Sequence, residues 1–150
     1  MIRIKFLGSC YDEHSGVSIV RVATRHGVYE GVAREHPKEK AKSRIFGCMM
    51  AENRADIKAL KEAVRFKKAE LKGAERVYAE CQTKQARGVV KGIKKEIAEL
   101  EGYIKEEELE LKKIKKVREK TLRELEEVEQ NKKQAQAFNV LSSEKRNLKI

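Results

Sequence analysis

Tryptophan is absent from this chain of 150 residues, proline occurs once, and aromatic side chains make up 5% of it. So little bulky apolar volume excludes one thick globular core. Charged residues reach 39% and mean hydropathy is −0.69, values that on their own suit a disordered chain. No apolar run approaches the roughly 18–20 residues of a membrane span, which excludes a transmembrane helix. The cysteines Cys10, Cys48 and Cys81 are odd in number, far apart and outside any CxxC pair, so neither a disulfide framework nor a zinc ribbon is expected. With no signal peptide, the expected setting is a reducing cytoplasm with free thiols.

Other absences narrow the chemistry. There is no GxxxxGK[ST] and no GxGxxG, and hence no phosphate-cradling loop of either kind. His14, His26 and His36 fall in three different turns, without the HxxxH spacing or Cys/His cluster a metal requires, so no metal and no cofactor are expected. Cys48 sits in Phe46-Gly47-Cys48-Met49-Met50, where a free cysteine is usually packing; a Cys–His pair with His26 or His36 has no local support. The many glutamates belong to helix surfaces, and no catalytic residue is assigned.

What is present is periodicity. Ile2, Ile4 and Phe6 alternate with Arg3 and Lys5 as in a half-buried strand, and Gly8 with the polar run from Tyr11 to Gly16 reads as a turn. Val17 to Thr24 is β-branched and apolar, suited to a central strand. Arg25-His26-Gly27 supplies a tight hairpin turn, and Val28 to Ala33 returns as a third strand. The spacing therefore predicts an α+β fold: a three-stranded antiparallel meander over residues 1–37, then a long helical hairpin or coiled coil with a C-terminal tail over 38–150, folding with the sheet as one unit. Pro37 opens the first helix, expected over about 38–82, with Ile45, Met49, Ile57, Leu60, Val64 and Leu71 as its apolar stripe. Gln82 to Gly92 is polar and carries two glycines, and its first part is read as the turn of the helical hairpin. Ile93, Ile97, Leu100, Ile104, Glu107, Leu111, Ile114, Arg118, Thr121, Leu125 and Val128 then step by four and three without a slip. Such heptads impose a coiled-coil seam, and polar positions within it lower stability but can fix register or partner number. From Gln134 to Ile150 the period is lost, and this tail is expected to fold back or dock on a neighbour. A rod on the order of 60 Å needs a partner, and a homo-oligomer through the helices is expected.

Net charge is +11, unevenly spread: residues 1–50 carry 9 basic and 5 acidic side chains, 51–100 carry 13 and 8, and 101–150 carry 13 and 11. A basic surface concentrates anions without choosing among nucleic acid, nucleotides and acidic proteins. The strand–helix order with basic residues after the sheet faintly resembles double-stranded RNA-binding domains, while the aromatics of single-strand binders are missing. For a nucleotide-like ligand, Arg25, Arg34, Arg44, Arg54 and Arg87 are candidates, because a guanidinium donates two hydrogen bonds to one phosphate. Phe46 or Phe138 offers a stacking face. Taken singly, each arginine is more simply a solvated side chain.

One stretch carries a family pattern. Gly16-Val17-Ser18, Gly27-Val28-Tyr29-Glu30-Gly31-Val32-Ala33, His36-Pro37, Phe46-Gly47-Cys48, Ala51-Glu52, Arg54-Ala55 and Ile57-Lys58 fall in that order between Tyr11 and Lys61. On these motifs the chain resembles small proteins carried by phages and prophages of Gram-positive bacteria, and among them the Thoeris anti-defence sponges. Ala86-Arg87 resembles the start of that group's second helix; the match is good over the first third, while the second helix here is longer. The resemblance implies an oligomeric protein in the host cytoplasm. It would capture a cyclic ADP-ribose isomer, or cyclic oligonucleotides, between subunits without degrading them. On that reading Arg25, Arg54 and Arg87 contact phosphate, and Phe46 and Phe138 pack or stack on the ligand. The alternatives are a basic nucleic-acid-binding or inhibitor protein, using the positive surface of the sheet and helix one, and a structural coiled coil capped by the sheet.

Overall fold

The computed structural model describes residues 2–35 and 44–148. A three-stranded antiparallel sheet, in the order β1 (Lys5–Asp12), β2 (Val17–Thr24), β3 (Gly27–Arg34), is followed by two long helices, α1 (Arg44–Cys81) and α2 (Lys84–Leu148). The expected α+β meander with a helical hairpin is what is seen. The first helix turn assigned to Pro37, together with His36, lies outside the described residues.

Two boundaries differ from the sequence reading. The ladder of β1 begins at Lys5 and runs through Ser9, Cys10 and Tyr11, which pair with Val20, Ile19 and Ser18. The turn is only Glu13 to Gly16, tied by Asp12, whose carboxylate accepts from the His14 N–H at 3.0 Å and the Ser15 hydroxyl at 2.8 Å. A bulge between Phe6 and Gly8 shifts the register, so strict alternation fails there. The helix connection falls in the expected first part of the segment from Gln82 to Gly92 and takes two residues, Gln82 and Thr83. Gln82 takes a left-handed φ of 46° and closes α1 by donating its N–H to Tyr78, while the Thr83 hydroxyl caps α2 by accepting from the Ala86 N–H at 3.1 Å. Finally, the tail does not turn back; α2 continues through it to Leu148.

The sheet and α1 meet through small residues. Val20 and Val22 of β2 and Ala33 of β3 are buried against Met50, Ala51, Ala55 and Ala59. Gly31 is the closest approach: a Cβ there would lie 1.7 Å from the Ala51 carbonyl oxygen and 2.5 Å from the Ala55 nitrogen. Gly47, Ala51, Ala55, Ala59 and Ala63 recur every four residues, and a repeat of four drifts around a helix of 3.6 residues per turn. The small stripe therefore starts on Ser18 of β2 and ends against α2, where Ala63 packs with Leu60, Val64, Ile97 and Leu100. Ile45 and Met49, expected on the buried face, are 72% and 44% exposed, because the alanine stripe takes that place.

Polar bonds fix α1 over β3. Arg54 donates to the Val32 carbonyl and Lys58 to the Glu30 carbonyl, each at 2.7 Å. The heptad positions of α2 face α1 as far as Thr121: Ile97, Leu100 and Ile114 are buried, and Ile93, Ile104, Glu107, Leu111 and Arg118 half-buried. The polar seam residue Glu107 is explained by Asn53, which donates to it at 2.7 Å. From Arg123 to Leu141 every side chain is exposed, Leu125 and Val128 included. At about 1.5 Å per residue α2 is roughly 100 Å long against about 57 Å for α1, so its last third projects as a free arm.

Candidate functional site: a basic cleft at the hairpin end of the sheet

The helical hairpin runs past the sheet, and a cleft opens where the sheet ends. The two-residue turn Arg25-His26 overhangs α1, held by the His26 N–H donating to the Thr24 hydroxyl at 3.1 Å. Gly27 follows with a φ of 151°, a value that side chains rarely adopt. The His26 ring stacks on Phe66 of α1 with centroids 4.2 Å apart and planes 8° from parallel. Ile2 and Ile4 pack onto the cluster of Leu60, Val64, Ile97 and Leu100, which brings the segment before β1 down beside α2.

Between these parts lies a space of about 980 Å³ lined by Ile2, Arg3, Arg25, His26, Ala63, Lys67, Gly92, Lys95, Glu96, Glu99, Leu100 and Tyr103. Ala63 and Leu100 form an apolar floor, and Gly92 adds no side chain. Lys67 is engaged: its ammonium lies 2.6 Å from Glu96 and 3.2 Å from Glu70. The hydrogen bond that Lys67 donates to Glu96 raises the lysine's pKa, and the same bond lowers that of Glu96. Arg3, Arg25 and Lys95 are different, since none of them makes an ion pair with a described acidic residue. Arg25 donates to the His26 ring nitrogen at 3.3 Å, and its charge also acts on Glu96. The cleft thus sets four cations, Arg3, Arg25, Lys67 and Lys95, against two carboxylates, Glu96 and Glu99, with an apolar floor and rings at Tyr103 and at the His26–Phe66 stack. Such a space suits an anion that also carries a flat apolar part, and its size falls within the roughly 300–1,000 Å³ of small-molecule sites.

Of the residues singled out from sequence, Arg25 lines this cleft. Arg54 is spent on the Val32 carbonyl. Phe46 is half-buried against the core of Val20, Met50 and Ile114. Arg87 is exposed near the start of α2, on the opposite side of the helix from Glu96 by the 100° step per residue. Phe138 is 69% exposed on the free arm, about 76 Å along α2 from Arg87. Within one chain these five residues do not converge. Arg34 is exposed at the end of β3, remote in sequence from the turn. Arg3, His26, Lys95, Glu99 and Tyr103 were not singled out for this role, because they come from three separate segments and each reads locally as surface.

Among the described residues, no group of three His, Cys, Asp or Glu side chains is placed to hold a metal ion. No described helix is long and apolar enough to cross a membrane. No family model, curated protein or solved structure matches this chain.

Proposed function

We propose that the chain binds an anionic, nucleotide-sized small molecule in this cleft and retains it without chemical change. The resemblance to Thoeris anti-defence proteins puts that molecule among cyclic ADP-ribose isomers and cyclic oligonucleotides, and the site of action in the host cytoplasm. The observation that supports the reading is the excess of cations, Arg3, Arg25, Lys67 and Lys95 over Glu96 and Glu99, around a cleft with an apolar floor and ring walls. Phosphates would meet the cations, and a purine would lie against Tyr103 or the His26–Phe66 pair. Self-association through the free arm of α2 belongs to the same proposal. Leu125, Val128, Phe138, Val140 and Leu141 are 42–69% exposed there, and a lone helical arm is marginal in water.

Calorimetry with cyclic ADP-ribose isomers, cyclic trinucleotides and short duplexes tests the cleft. A stoichiometric small-molecule signal that varies little with salt is expected. Arg25→Glu and Lys95→Glu should each weaken it by about 10–100-fold, the value of a lost charge-assisted hydrogen bond. Arg87→Glu makes the same change in net charge on the far side of α2 and should leave binding unchanged. Equal losses in all three variants, or silence with every small anion, would refute the proposal. Binding of duplexes alone, with a steep salt dependence, would favour the nucleic-acid reading instead. For the arm, light scattering of the full chain should give a dimer or larger, and a chain ending at Leu122 should give a monomer. Equal masses per chain would exclude the arm as the contact.

A further inference from the structure

The α2 wall of the cleft has an order along its length. Lys95, Glu99 and Tyr103 follow one another at intervals of four residues, so they share one face of the helix at steps of about 6 Å. All three line the cleft, and none of them makes a hydrogen bond or ion pair with a described residue. Lys95 and Glu99 are one turn apart, yet they do not pair; a lysine that precedes a glutamate is the poorer orientation for such a bridge.

The other groups of the cleft give this order two unlike ends. Lys67 reaches Glu96 at 2.6 Å, and the charge of Arg25 acts on the same carboxylate, so the cations collect beside Lys95. Gly92 leaves room at that end, since a Cβ on it would meet nothing within 4 Å. At the other end Tyr103 offers a ring that is 40% exposed, close to the buried Leu100.

Glu99 stands between the cations and the ring, where a site that only attracts anions has no use for it. A carboxylate repels phosphate and accepts hydrogen bonds without donating any. In a nucleotide the sugar hydroxyls are donors, and they lie between the phosphate and the base. Carboxylates hold ribose hydroxyls in this way in dinucleotide-binding folds.

We propose that Glu99 is the specificity residue of the cleft, accepting hydrogen bonds from the sugar hydroxyls of a nucleotide whose phosphates lie toward Lys95 and whose base lies against Tyr103. This rests on the anion-binding reading of the cleft and adds to it a direction and a ligand class, nucleotides with free ribose hydroxyls. Inorganic polyphosphates satisfy the cations but carry no such donors, and the same carboxylate repels them.

The experiment is calorimetry of the full chain and of Glu99→Gln with a cyclic ADP-ribose isomer, a cyclic trinucleotide and inorganic pyrophosphate. Glutamine keeps the length of the side chain and removes its charge, and Glu99 is exposed, so the fold does not depend on the change. The nucleotide that binds the parent should bind Glu99→Gln about 10-fold more weakly, because a charge-assisted hydrogen bond is lost. Pyrophosphate should bind it about 10-fold more tightly, because a repelling charge roughly 6 Å from Lys95 is gone. Glu101→Gln makes the same change in net charge on the other side of α2, where Glu101 faces Lys68 at 3.8 Å, and should leave both kinds of probe unchanged. Nucleotide binding that is unchanged or tighter in Glu99→Gln, or pyrophosphate binding that is not tighter, would overturn the proposal. Silence of every probe with the parent chain would instead refute the cleft as an anion site, and the role of Glu99 would fall with it.

Discussion

Replacing Gly31 by alanine tests the most confined contact in the fold. The new methyl carbon would stand 1.7 Å from the Ala51 carbonyl oxygen and 2.5 Å from the Ala55 nitrogen. Both obstacles are main chain, so no rotamer change relieves them. Restoring an ordinary contact requires α1 to withdraw from β3 by roughly 1.5–2 Å, and a gap of about 0.5–1 Å already forfeits a quarter to a half of the dispersion attraction. Val20, Val22, Ala33, Ala51, Ala55 and Ala59 would all share that loss. The cost should reach about 3 kcal/mol, the upper part of the overpacking range. For a chain of this size it lowers Tm by roughly 6–12 °C. Gly73→Ala is the internal control, since its Cβ would meet nothing within 4 Å and it lies inside α1, eight residues before Cys81. That change should stabilise by about 0.5–1 kcal/mol through helix propensity alone. Urea unfolding followed by circular dichroism measures both. A Gly31→Ala chain within about 0.5 kcal/mol of the parent would refute the close approach of α1 to the sheet.

Other substitutions probe the remaining contacts. Arg54→Met removes the donor to the Val32 carbonyl and should cost about 1–3 kcal/mol in the same urea assay, with no loss of anion binding in calorimetry. Loss of binding with unchanged stability would return Arg54 to the ligand site. A chain ending at Leu122 should melt at the parent's temperature at low concentration, because from Arg123 to Leu141 the arm is fully exposed. A large drop in Tm would show that the arm is part of the fold.

Much of the architecture could be read from the chain because burial repeats with the period of each element. Val20 and Val22 alternate in β2, and the steps from Ile93 to Ile114 keep one face of α2 on α1. The errors have local causes. Ile2 and Ile4 alternate like strand residues, yet they pack onto the helices before the ladder begins, while Ser9, Cys10 and Tyr11 look like a turn and are paired. The helix connection, by contrast, lies in the expected first part of the Gln82–Gly92 segment, where the caps at Gln82 and Thr83 close one helix and open the next in two residues. The last part of α2 lost its apolar period because nothing described covers it; its Ala, Gln, Lys and Glu content still favours helix. The four-residue stripe of Gly47, Ala51, Ala55, Ala59 and Ala63 was visible in the sequence, but small residues carry little weight in a hydrophobic pattern. Of the cleft, only Arg25 was singled out from the sequence. Arg3, Arg25, Lys95 and Tyr103 meet only because the sheet stops short of the hairpin's end.

The most direct measurement is the set of amide NMR shifts on titrating the isotope-labelled chain with a cyclic ADP-ribose isomer. Saturable shifts centred on Arg3, Arg25, His26, Lys95 and Tyr103 are expected, with Arg87 and Phe138 unmoved. Shifts spread along the basic surface, shifts centred on Arg87 or Phe138, or no shifts at all would contradict an anion site in the cleft.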